Sequence, residues 1–152
     1  MIVPTPLVLT NLYETDETAW LEVMAELIEQ DRLTELDFDH LAEYLSDMAR
    51  RDRREVKSRM SVLLAHLVKW QFQPEKRSRS WKATIVTQRQ ELADLAGSGV
   101  LQAHAESILA DAWSNAIEQA SSETGLPTET FPVECAYTLE QLLVVDVTSP
   151  DH

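Results

Sequence analysis

The stretch SRMSVLLAHLVKWQFQPEKRSRSWKATIVTQRQEL, residues 58–92, decides how this chain folds. At about 100° per residue, Val56, Met60, Leu63, Leu64, Leu67 and Trp70 lie within one face under about 130° wide, which marks a core helix. Gln73-Pro74 ends that helix, because a residue before proline is pushed out of the α region. EKRSRS then forms a corner, and Ser78 or Ser80 caps a second helix, WKATIVTQRQELADLAG. Trp81, Ile85, Gln88, Leu92 and Leu95 run along its stripe.

Working outward, residues 1–14 read as an arm in which Pro4 and Pro6 discourage regular structure. Thr15 or Asp16 caps a helix that sets Trp20, Leu21, Met24, Leu27 and Ile28 on one face and ends near Asp31. Asp37 or Asp39 caps the next, whose stripe is Leu41, Leu45 and Met48. RRDRRE holds neither Gly nor Pro, so this helix can run on unbroken; equally, Asp52 with Glu55 makes a capping pair, and of the two a break or kink near Arg50–Asp52 is slightly preferred. Beyond the second central helix, Gly97 stops one helix and Ser98 starts another, running from about Val100 to Thr124. Gly125 ends it, Pro127 and Pro132 fix a loop, and Thr138 with Gln141 caps a short TLEQLL helix. The expectation is an all-α single-domain bundle of four to five main helices plus a short C-terminal one. The bundle covers 15–125, loop and short helix 126–146, and a tail 147–152.

The chain has 152 residues, 44% of them hydrophobic, enough for a domain that buries roughly 68–70% of its unfolded surface. No run of about 18 apolar residues exists to cross a bilayer. The start MIVPTPLVLTNLYE lacks a basic region and does not read as a signal peptide. Cys135 stands alone, which rules out an internal disulfide, speaks against a thiolate zinc site and makes a cytoplasmic setting the default. The net charge of −13 argues against indiscriminate binding to nucleic acid or anionic membrane. Its distribution is uneven. Residues 1–50 hold twelve carboxylates and only Arg32 and Arg50 as cations, residues 51–92 hold eleven cations, and no lysine or arginine follows Arg89. Complementary fields between neighbouring helices are the ordinary account of such blocks.

LLAHLVKWQFQPEKRSRSWKATIVTQRQEL resembles a bacterial family known as domain-of-unknown-function family 29. YETDETAWL (13–21) and ETGLPTETFPVECAYTLEQLL (123–143) resemble the same family, so the similarity covers about Leu12 to Asp146. The resemblance implies a small helical domain and brings no activity, so no catalytic residue is carried over. The family often has glycine where this chain has Ala49, a departure that weakens the case for a break there.

The candidate ligand site is the mid-chain corner. Arg59, His66 and Trp70 share one edge of the core helix, and the turn brings Arg77, Arg79 and Trp81. As a pocket, these supply an aromatic pair, an imidazole and guanidiniums for a phosphate or carboxylate. As structure, Trp70 packs on Trp81, His66 is a hydrogen-bonded border residue, and the arginines pair with acidic helices; this ordinary account is preferred. Ser78 and Ser80 read as caps, and Gln88 as a buried amide with satisfied partners. His40, Glu43 and Asp47 share a helix side, read as solvated and opposite Leu41 and Leu45. No metal and no cofactor are expected, since His104 with Asp111 lacks a third ligand and no glycine-rich phosphate loop exists, and Cys135, with no histidine near it in sequence, is unsupported as a nucleophile. The function expected is a non-enzymatic helical protein-interaction module, binding a protein partner or its own copy. The alternative is a nucleic-acid-associated role through residues 51–89, and the third an enzyme with a small anionic ligand at the His66/Arg77 corner.

Overall fold

The fold is described from a computed structural model covering residues 5–144, 146 and 148. Six α-helices form, α1 (Pro6–Thr15), α2 (Glu17–Glu29), α3 (Phe38–Phe72), α4 (Arg79–Ala96), α5 (Gly99–Thr124) and α6 (Leu139–Val144), with no strand among the described residues. Single 3₁₀ turns occupy Leu33–Glu35, Pro74–Lys76 and Thr128–Thr130. The all-α expectation therefore holds. The described residues divide into two compact units, parted between Arg50 and Arg51.

In the N-terminal unit, α1 replaces most of the expected arm. Pro6 stands in the first turn, where its missing N–H costs nothing, and Thr5 accepts a hydrogen bond from the Val8 N–H. Asp16 caps α2 by accepting from the Ala19 N–H. Trp20, Met24 and Leu27 are fully buried with Leu9, and Leu12, Tyr13, Leu21, Leu36, Leu41 and Tyr44 pack around them. Ile28 and Leu45, expected inside, are 53% and 65% exposed. The buried face of early α3 runs instead through His40, Leu41 and Tyr44. The His40 ring lies 4.3 Å from Tyr13, and Tyr44 lies 6.0 Å from Trp20. His40 is thus not solvated as the apolar stripe suggested, because aromatic partners from α1 and α2 draw its side of the helix inward.

The expected break near Arg50–Asp52 does not occur, since α3 runs 35 residues without interruption. Neither glycine nor proline interrupts ARRDRREVKSR. Arginine and glutamate are good helix formers, and Asp47–Arg50 (3.4 Å) and Glu55–Arg59 (2.8 Å) pair along the surface. Asp52 is simply an exposed helix position, and Glu55 a half-buried one tied to Arg59.

In the C-terminal unit, Val56, Met60, Leu63, Leu64, Ala65, Leu67 and Val68 of α3 are fully buried. They cluster with Ile85, Leu92 and Ala96 of α4, with α5, and with Leu139 and Leu142 of α6. The inner face of α5 is made by the buried Ala105, Ala112, Ala116 and Ala120 together with Trp113 and Ile117. Gly97 is required where α4 ends, because a Cβ there would collide with the Ala93 carbonyl oxygen. Gly125 ends α5 at φ 77°, the left-handed conformation that glycine adopts without penalty. Phe131 closes the core edge-on to Phe72 at 5.2 Å, and Trp113 Nε1 donates to the Pro132 carbonyl at 3.0 Å. Thr138 and Gln141 cap each other's backbone N–H as expected. The expected tail lies outside the described residues except for Thr148, whose N–H and hydroxyl both donate to Asp146.

Candidate functional site

The mid-chain corner is built by the end of α3, the Pro74–Lys76 turn and the start of α4. Ser78 caps α4 by accepting from the Trp81 N–H at 3.1 Å, which decides between the two serines. Arg77 folds back so that its Nε donates to the Trp70 carbonyl at 2.8 Å, and its guanidinium lies 4.8 Å from the Trp70 ring centre. It thereby satisfies one of the orphan carbonyls at the C-terminus of α3 and places a cation where the helix dipole favours it. Arg79, in the first turn of α4, is exposed and has no ion-pair partner among the described residues.

Trp70 and Trp81 do not meet as a ring pair among the described residues. Each takes a cation instead, Arg77 for Trp70 and Lys69 for Trp81, with Lys69 Nζ 5.1 Å from the ring centre. Lys69, not singled out from the sequence, carries the corner. Only 6% exposed, it pairs with Glu123 Oε2 at 2.6 Å. The bond from Lys69 holds the Glu123 carboxyl below the usual carboxylate range. A lysine inside the apolar run LLAHLVKW was the available signal.

His66 is half-buried, and its Nδ1 lies 2.9 Å from the Val62 carbonyl. A carbonyl only accepts, so the ring proton sits on Nδ1. Burial pushes this imidazole below its ordinary value, more than the Val62 bond raises it. Cys135 points its thiol at the Tyr137 carbonyl, and burial pushes that thiol up, away from the thiolate a nucleophile needs.

Of the six residues proposed for the ligand site, Arg59 lines a groove, and Gln88 lines it too. That groove, about 530 Å³, is bordered by Arg51, Arg54, Glu55, Ser58 and Val62 of α3 and by Gln88 of α4. Arg59 Nε donates to Glu55 at 2.8 Å, Nη1 to Gln88 Oε1 at 3.3 Å, and Nη2 lies 3.9 Å from Glu91. The amide of Gln88 inside an apolar stripe thus has its partner. The basic segment is internally paired only in part. Arg59, Lys69 and Arg89 reach carboxylates, the last two from Glu123 and Asp146, while eight other cations of residues 51–89 have none within 4.0 Å among the described residues.

A second groove, about 550 Å³, belongs to the N-terminal unit and is lined by Pro6, Leu9, Thr34, Glu35, Leu36, Asp37, Phe38 and Asp39. Asp37 orders it. Its Oδ2 accepts from Trp20 Nε1 at 3.2 Å and meets His40 Nδ1 at 2.7 Å. Phe38 on the groove wall is 60% exposed. No group of three or more potential metal ligands occurs among the described residues.

No curated protein and no solved structure matches this chain. The family model described as domain of unknown function DUF29 matches residues 12–147, which takes in α2 to α6, the groove at Arg59, the whole mid-chain corner and the N-terminal groove except Pro6 and Leu9. The chain belongs to this family.

Proposed function

We propose that this chain is a non-enzymatic protein-interaction module whose N-terminal groove receives an amphipathic helix bearing apolar anchors and lysine or arginine. The observation that carries this reading is the exposure of Phe38 on a groove that Leu9 and Leu36 also line. A large apolar side chain exposed on a groove wall marks a contact site more than one scattered elsewhere does. Charge complementarity names the partner. Asp39 is exposed at the rim, and residues 1–50 carry twelve carboxylates against two arginines.

The test is a titration with two synthetic helices, one of leucine and lysine, the other of leucine and glutamate, followed by NMR. The lysine helix is expected to bind saturably and shift Leu9, Leu36 and Phe38, and Phe38→Ser is expected to weaken it at least tenfold while helix content stays unchanged. Equal binding of both helices, or shifts elsewhere, would sink the proposal. A dimer in light scattering that Phe38→Ser dissolves would overturn it too, assigning the groove to a second copy.

A second reading, contact with nucleic acid, draws support from the eight cations of residues 51–89 without carboxylate partners among the described residues. The net charge of −13 acts against it. Filter binding of an oligonucleotide across a salt series checks it.

A further inference from the structure

We infer that the groove formed by Arg51, Arg54, Ser58 and Arg59 of α3 with Gln88 of α4 is a binding site for a small phosphorylated ligand, recognised through its phosphate dianion. Neither the helix-docking reading nor family membership assigns it. Residues 50–59, RRDRREVKSR, hold six cations and two carboxylates, a local net of +4 inside a chain of −13. Helical spacing sets Arg51, Arg54 and Ser58 on one side of α3, at i, i+3 and i+7. Arg51 and Arg54 have no carboxylate within 4.0 Å among the described residues, so their forks are available.

Arg59 plays a different part. Its side chain is 28% exposed and is held from two sides by Glu55 and Gln88. It matches the Glu55 charge that would otherwise repel an anion at the groove wall. Guanidiniums bind phosphate oxygens bidentately, and the Ser58 hydroxyl adds a donor one turn from Arg54. Val62 is the single apolar wall residue, which favours a polar occupant. A volume of about 530 Å³ is in the range of small-molecule sites.

Charge separates a small ligand from a polyanion. A compact dianion meets the local field within a Debye length of about 8 Å, whereas a long strand also meets the surrounding negative charge. A dianion with three equivalent oxygens also offers two guanidiniums more acceptor sites and twice the charge of a carboxylate.

The experiment titrates the full chain with inorganic pyrophosphate at constant ionic strength, read by calorimetry and amide NMR, with acetate and a twenty-nucleotide single strand alongside. Saturable pyrophosphate binding is expected, with shifts confined to residues 51–62 and Gln88. Arg51→Gln and Arg54→Gln are each expected to weaken it at least tenfold. Glutamine keeps a helix propensity close to that of arginine, so circular dichroism is expected to stay unchanged. Lys76→Gln, in the corner turn, is expected to leave the affinity as it was. Binding that both arginine variants retain, or that acetate reproduces, overturns the site. An oligonucleotide that binds through the same residues and resists displacement by pyrophosphate overturns the choice of a small ligand.

Discussion

Lys69 keeps a charge in an otherwise apolar run because Glu123 and the Trp81 ring meet it there. The two partners are unequally buried, with side chains 8% and 43% exposed, so removing them is not symmetrical. Glu123→Gln strands a buried ammonium and is expected to cost about 1–3 kcal/mol at pH 7. Lys69→Met leaves a carboxylate that water can reach and is expected to cost less; chemical denaturation of the two variants checks the order. Because the folded Glu123 carboxyl is depressed, its contribution is complete above its unfolded value and is lost as pH falls through the folded one. Lys69→Met should remove that acid limb. The His66 imidazole is also depressed, and for a histidine this means the unfolded chain binds the proton first. Stability is therefore expected to fall as pH drops below about 6.5, and His66→Phe to flatten that slope in denaturation series between pH 7 and 5. Arg77 and Trp70 could be suspected from sequence as neighbours. That they satisfy each other, leaving no stacked Trp70–Trp81 pair, depends on how the Pro74–Lys76 turn aims the chain.

At the scale of elements, proline and glycine positions were the most legible signals. Pro74 ends α3, Gly125 ends α5, and Thr138 with Gln141 opens α6. Pro6 misled in the arm, because a proline that breaks a helix interior is tolerated in its first turn. The Asp52–Glu55 pair misled as a cap, because the same residue types are ordinary on an exposed helix surface. Two substitutions test these elements. Ala49→Gly is expected to cost about 1 kcal/mol if α3 is continuous, and nothing if residues near it are already unwound; denaturant midpoints decide. Ser78→Ala is expected to cost about 1 kcal/mol by releasing the Trp81 N–H, while Ser80→Ala costs a few tenths at most. Ser78→Ala within error of the wild type would mean the cap contributes nothing.

For the whole molecule, the two apolar clusters are distinct. One gathers around Trp20, Met24 and Leu27, the other around α3 from Val56 onward, and no α3 residue before Val56 is fully buried. Leu64→Ala is expected to cost about 2–5 kcal/mol and Trp20→Ala about 3–5 kcal/mol. Hydrogen exchange should then show protection lost mainly within the unit that holds the substitution, through α4 and α5 for Leu64 and through α2 for Trp20. Uniform loss across both units in either variant would contradict the division.

The amino-acid sequence alone determined most of the helices and their ends, and the inner face of α4 and of α3 from Val56 onward, because those depend on spacing, capping and the exclusion of proline, all local. It also located the segment rich in cations. Which of those cations are spent was a tertiary matter. Lys69 meets Glu123 across 54 positions and Arg59 meets Gln88 across 29, distances in the chain that no helical periodicity encodes. Only the packed structure therefore showed Arg59, Lys69 and Arg77 occupied, and Arg51 and Arg54 free of carboxylates among the described residues.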